Sequence, residues 1–234
     1  MGGCRRKLMS RFFTRWAALT HRSAQSYRFR RSMMHLLRSG MGLLLGDEAD
    51  RSERELWSRY HACCASAMTN ASVLDVGCAF GEHSDEVLRL WNARWYTGAD
   101  VSVGIVRDGK LRYPALDFIA ADGNFLPLRD SSFDVVTSSF LFHHIPVSNR
   151  TKFLREQLRV GSVVLLRDLF GMESGCVAWL YRMYYVVFDG SEYRFTLKEW
   201  RRFIEGAGGK IIAENHTQGN VVRNRHCFFL IQRV

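Results

Sequence analysis

Two hydrophobic rhythms run along this chain. Short continuous apolar runs, bounded by small or polar residues, predict buried strands at 73–76, 95–100, 117–120, 133–139, 162–168, 210–214 and 227–231. Between them, apolar residues recur at three and four positions and predict helices. Ser52 to Met68 carries Leu56, Trp57, Tyr60, Cys63 and Cys64 on that spacing, and further helical runs are Glu82 to Trp91, Ser102 to Arg112 and Ser148 to Leu158. Thr196 opens a last helix, to Glu205, with Glu199 three residues on as in a capping box, and Gly206-Ala207-Gly208-Gly209 stops it. Strands alternating with helices predict an α/β fold built on a parallel sheet.

The junction of the first of these strands with its helix has unusual chemistry. Val73-Leu74-Asp75-Val76 is followed by small residues at Gly77, Ala79 and Gly81, a turn in which backbone N–H groups can approach a ligand without interference from Cβ atoms. Glu82 places a carboxylate at the helix start, which suits the helix dipole but repels phosphate. The expected ligand is therefore a nucleoside without phosphates. Asp100 falls 19 residues after Gly81, at the carboxyl end of the second strand, where its two oxygens can accept both ribose hydroxyls. Ser102 reads as the N-cap of the helix that follows.

The run from Val73 to Gly81 resembles the first motif of class I S-adenosylmethionine-dependent methyltransferases, of the type acting in ubiquinone and menaquinone methylation, with Ala79 where the family usually has glycine. Gly98-Ala99-Asp100-Val101-Ser102 resembles the second motif, Phe125-Leu126-Pro127-Leu128 a later segment, and Phe133 to Ile145, with its "FDVV…HHI" pattern, the region after the fourth strand. The resemblance implies a Rossmann-like, doubly wound sheet of seven strands, mostly parallel with an antiparallel C-terminal strand, plus N-terminal helices. It implies S-adenosyl-L-methionine as cofactor, held by Asp75, Gly77, Cys78, Ala79, Gly81, Asp100, Val101, Asp122, Gly123 and Ser138. In the family the residue at Asp122 approaches the adenine amino group and the next backbone N–H meets a ring nitrogen. The resemblance also places His143 near the acceptor. It makes the aromatic stretch from Gly171 to Asp189 a candidate acceptor pocket, with Arg182, Tyr184 and Tyr193 as contacts. No catalytic base declares itself; His143 and His144 are the candidates, and as neighbours they should lie on different faces. The family usually has a longer connection before the fifth strand than Arg159-Val160-Gly161.

Composition divides the chain in two. Residues 1–46 hold nine Arg and one Lys and no acid; removing them from the 33 basic residues leaves 23 against 23 acidic ones. The formal charge of +10 thus belongs to a basic leader, and the part from residue 47 to 234, the methyltransferase-like domain, gives no argument for nucleic-acid binding. Leu8, Phe12, Trp16 and Leu19 make the leader amphipathic, fit to cover the substrate cleft, to touch an anionic membrane surface, or to serve as a mitochondrial targeting segment. Gly46-Asp47-Glu48 marks the expected boundary. The six cysteines have no C-x-x-C spacing and read as reduced thiols, so a cytoplasmic location is expected, with a mitochondrial one as the alternative; no metal is expected.

The reading is a methyltransferase acting on a small, partly apolar acceptor by in-line displacement. The alternatives are an RNA or protein methyltransferase with the leader as docking arm, or a cofactor-binding assembly protein without turnover.

Overall fold

The computed structural model describes residues 47–171, 195–217 and 225–234. Helix α1 (Asp47–Met68) leads into β1 (Ser72–Val76), then β2 (Trp95–Asp100), α2 (Val103–Arg112), β3 (Asp117–Ala120), β4 (Phe133–Ser139), α3 (Val147–Val160), β5 (Gly161–Leu169), α4 (Leu197–Gly206), β6 (Gly209–His216) and β7 (His226–Arg233). The seven strands form one sheet in the order β3-β2-β1-β4-β5-β7-β6. Every pairing from β3 through β5 is parallel, and β7 runs antiparallel between β5 and β6. The expected doubly wound sheet with an antiparallel C-terminal strand is what the chain forms.

Alternate residues of the central strands feed two separate cores. Val73, Val135 and Leu165 pack on one face with Leu56, Tyr60, Cys64 and Met68 of α1. Leu74, Val136, Val164 and Leu166 pack on the other with Phe153, Leu154 and Leu158 of α3 and with Trp200 and Ile204 of α4. Burial on both faces is why these strands read as continuous apolar runs. The strand order reverses between β1 and β4, which opens a crevice beyond their carboxyl ends.

Several elements differ from expectation. The chain is already helical at Asp47, so Ser52 is not the start of α1. In place of a regular helix from Glu82 to Trp91 there is a tight turn followed by one wide π-type turn, Glu86–Leu90, closed by the Trp91 N–H donating to the Glu86 carbonyl at 3.0 Å. Val87 and Trp91 are both buried there, and the Trp91 indole N–H reaches His61 Nδ1 of α1 at 3.2 Å. Tertiary packing has overridden the local preference. The short connection before the fifth strand is shorter still: α3 ends at Val160 and β5 begins at Gly161. A Cβ at Gly161 would stand 2.5 Å from Val136 Cγ2, so only glycine lets β5 start this close to β4. Thr196 and Glu199 cap α4 reciprocally, as their spacing predicts. No helix among the described residues is long and apolar enough to cross a membrane.

Candidate active site

The sheet register brings the motif residues to one edge. Asp75 pairs with Gly98 on one side and Thr137 on the other, and Asp100 pairs with Ala120. The turns after β1, β2, β3 and β4 therefore all open at the same end of the sheet.

The turn after β1 places Gly77 and Gly81 at φ +77 and Ala79 at φ +48. Glycine is required at the first and third for space as well as conformation: an added Cβ would meet Leu141 at 2.6 Å and Phe118 at 2.7 Å. Ala79 adopts the left-handed region with a side chain, which costs an L-residue about 1–2 kcal/mol. The amides of this turn are used differently from the expectation. Those of Gly77 and Cys78 both donate to the Ala99 carbonyl, at 2.7 and 3.1 Å, and that of Gly81 donates to Cys78. The Ala79 N–H donates to Asp100 Oδ2 at 3.3 Å. These four donors shape the turn.

Asp100 also accepts the Ser102 N–H at Oδ1, at 2.9 Å, so one carboxylate ties the glycine turn to the start of α2. Burial pushes its pKa up, and the amides of Ser102 and Ala79 hold it down in part. Ser102 caps α2 through Ile105, as its position predicts. Val101, beside it, is 73% exposed at the rim. Asp122 is exposed beyond β3, and its Oδ1 accepts both the backbone N–H and the side-chain amide of Asn124 at 2.8 Å. Gly123 is packed so closely on Phe153 that a Cβ would fall 2.3 Å from its ring.

Three expected cofactor residues lie deeper. Asp75 is 1% exposed and accepts the Tyr96 hydroxyl at 2.9 Å; burial raises its pKa, opposed by the charges of His83 and Arg167. Cys78 is buried, with Sγ toward Gly98. Ser138 is fully buried on β4, and its hydroxyl has no hydrogen-bond partner. A lone hydroxyl beside the crevice is a place where a ligand atom would restore a missing hydrogen bond.

His143 and His144 occupy a short 3₁₀ turn, Phe142–His144. They do not diverge as neighbours in a regular element would: their rings stack at 4.1 Å, tilted by 44°. His143 is buried, with Nδ1 2.5 Å from Asp168 Oδ1 and its backbone N–H donating to Oδ2 at 3.2 Å. Asp168, at the end of β5, was not among the expected site residues; an acid closing an apolar strand was the signal available. Tyr60 in the core and Trp57 packed against it also form two walls around the Arg167 guanidinium, 4.9 and 5.0 Å from its carbon. Arg182, Tyr184 and Tyr193, the other acceptor candidates, and the leader at 1–46 lie outside the described residues. Among the described residues no group of three or more His, Cys, Asp or Glu could hold a metal ion.

A glycine turn at a sheet switch point, tied by a carboxylate from the next strand, defines a nucleoside-binding α/β domain. Residues 73–162 of the chain match the family model described as a methyltransferase domain. The chain is 34% identical over 114 residues to a demethylmenaquinone methyltransferase of Renibacterium salmoninarum, covering 49% of this chain and 46% of that one. It is 32% identical over 127 residues to phthiotriol/phenolphthiotriol dimycocerosates methyltransferase 1 of Mycobacterium ulcerans, covering 52% and 46%. The chain thus spans about half the length of the curated relatives it matches. Its fold matches that of magnesium protoporphyrin IX methyltransferase from Synechocystis PCC 6803 with bound SAM, at a TM-score of 0.55 and 14% identity, over 78% of this chain and 79% of that one.

Proposed function

We propose that this chain transfers a methyl group from S-adenosyl-L-methionine to a small, partly apolar molecule. The observation that carries the reading is Asp100, which accepts the Ala79 and Ser102 amides at the switch point and keeps a carboxylate edge for ribose hydroxyls. Asp122 presents an acceptor oxygen for an adenine amino group, and the orphaned Ser138 hydroxyl lies at the end of β4. These groups fit a nucleoside that carries no phosphate. The cofactor supplies an electrophilic methyl on a sulfonium, a leaving group already in place.

The protein then has to align donor and acceptor and exclude water, which can account for much of the acceleration. An acceptor that is protonated before the transfer would have to give up its proton. Asp168 fixes the His143 ring through Nδ1, so an imidazole of set orientation stands at the carboxyl end of β4 to receive that proton when the acceptor carries one. The relatives' names, for demethylmenaquinone and for phthiotriol/phenolphthiotriol dimycocerosates, favour an apolar acceptor here.

The test is calorimetric titration of the full chain with S-adenosylmethionine and S-adenosylhomocysteine, followed by an acceptor screen that reads out S-adenosylhomocysteine. Saturable binding with turnover on an apolar acceptor is the expected result. Absence of binding by both compounds overturns the reading.

A further inference from the structure

We propose that Arg167 is a binding group for an anionic oxygen of a ligand, a carboxylate or a phenolate, at the carboxyl end of β5. Arg167 pairs with Ser139 on β4, and its carbonyl accepts the N–H of Phe140 at 2.8 Å, so it sits where the crevice begins. The residue is 8% exposed. Its guanidinium carbon lies 5.0, 4.9 and 4.7 Å from the rings of Trp57, Tyr60 and Phe140. Among the described residues one polar group meets it: His83 Nε2, from the turn after β1, 3.1 Å from Nη2. Its Nε has no hydrogen-bond partner.

A guanidinium carries five N–H donors, and a buried charge without a counter-ion is costly. Among the described residues no carboxylate pairs with Arg167. Asp75 is near enough to feel its charge but accepts from the Tyr96 hydroxyl, and Asp168, next along β5, engages His143. The rings offset part of the cost, since a desolvated cation is attracted to an aromatic face. They do not use the donors.

Arg159 shows how this same fold satisfies an arginine whose role is structural. It donates to Glu156, Asp130 and the carbonyls of Leu126 and Leu128. Among the described residues Arg167 has the opposite profile, with aromatic walls, an Nε that has no hydrogen-bond partner and one imidazole neighbour. Guanidinium donors match a carboxylate in shape, and the aromatic surround excludes the water that would weaken the pairing.

The position spans two sources of such an oxygen. His83 ties Arg167 to the glycine turn, toward the amino-acid end of a cofactor seated there, and Phe140 ties it to the turn that carries His143. The assignment of sources rests on the methyltransferase reading; the anion site does not.

Calorimetric titrations of the full chain and of Arg167→Met and Arg167→Lys test this with two ligand pairs. S-adenosylhomocysteine against 5′-methylthioadenosine differs by the amino-acid moiety and its carboxylate. With S-adenosylhomocysteine saturating, 2-naphthoate against 2-naphthamide probes the acceptor side. The expected result is that the wild-type chain prefers the anionic member of one pair at least tenfold, which corresponds to about 1.4 kcal/mol. Arg167→Met should bring that pair close to parity, and Arg167→Lys should fall between. A change confined to the first pair assigns the site to the cofactor, and one confined to the second assigns it to the acceptor.

An anionic preference that is the same in wild type and Arg167→Met overturns the proposal. If Arg167→Met does not fold, as circular dichroism reports, Arg167→Lys and the wild-type preferences decide, and a wild type indifferent to charge in both pairs is equally fatal. If S-adenosylhomocysteine fails to bind the wild-type chain, the methyltransferase reading falls by itself, and the naphthoate pair, titrated alone, still judges Arg167.

Discussion

Asp168 grips His143 twice, through Nδ1 at 2.5 Å and through the backbone N–H at 3.2 Å. It also accepts the N–H of Leu169 at 2.6 Å, so a single buried carboxylate joins the end of β5 to the turn after β4. The pairing fixes both the ring plane and the nitrogen that faces the carboxylate. Asp168→Ala leaves these donors without an acceptor in a buried place and should destabilise the fold by about 3–5 kcal/mol, as urea unfolding would measure. Asp168→Asn keeps one acceptor oxygen and should fold. With an acceptor that must lose a proton, its turnover should fall by about 100-fold while S-adenosylhomocysteine binds as before. Loss of binding and turnover together would show that the pair supports the pocket rather than the proton transfer.

Asp100 makes a prediction of a different kind, because its carboxylate serves both the fold and the proposed ligand. Asp100→Ala should weaken S-adenosylmethionine binding by about 1–3 kcal/mol, the cost of leaving buried hydroxyls without an acceptor. Burial raises the pKa of this group above the usual aspartate range. Binding that needs the carboxylate should therefore begin to fail, as pH falls, at a higher pH than an ordinary aspartate would give. Calorimetry across pH in wild type, compared with Asp100→Asn, reads this directly; an unchanged dissociation constant in Asp100→Ala removes the residue from the site.

Asp75 is raised by burial as well, and here the sign concerns stability. A folded-state pKa above the unfolded value means that the folded chain binds the proton more tightly. Ionisation then costs stability as pH rises from the unfolded pKa through the folded one, and that cost is absent below both. Asp75→Asn keeps an acceptor for the Tyr96 hydroxyl and cannot ionise. The variant should unfold at higher urea concentration than wild type at pH 8, with the difference shrinking as the pH is lowered. A variant less stable than wild type at pH 8 contradicts this.

The strands and the glycine turn were legible in the sequence because their causes are local. The expected ranges of β2, β3 and β4 agree with the observed ones residue for residue, since each is an apolar run ended by small or polar residues. The Thr196–Glu199 cap was legible for the same reason. What escaped depends on residues far apart in the chain. The His143–Asp168 pair joins positions 25 apart, and the Arg167–His83 contact joins positions 84 apart. No periodicity signals either. The wide turn at Glu86–Leu90 is set by where Trp91 must go to meet His61, which the helical spacing of that segment does not encode. The turn after β1 was recognised from its small residues, yet the destination of its amides, Ala99 and Asp100, follows only from how β2 lies against it.

Ala79 provides the last test, since it stands where the resembling family usually has glycine and holds φ +48. A left-handed alanine is strained, whereas glycine reaches that region readily but is freer in the unfolded chain. The two effects oppose each other: relief of strain contributes about 1–2 kcal/mol, and the added unfolded-state entropy returns about 0.4–1 kcal/mol. Strain is the larger, so Ala79→Gly should raise stability by about 0.5–1 kcal/mol. The N–H that Asp100 accepts remains in place, so the link between the two motifs should survive the change. Urea midpoints would give the stability and calorimetry with S-adenosylhomocysteine the binding. A less stable variant would mean that the alanine methyl makes contacts in this turn worth more than the strain it imposes.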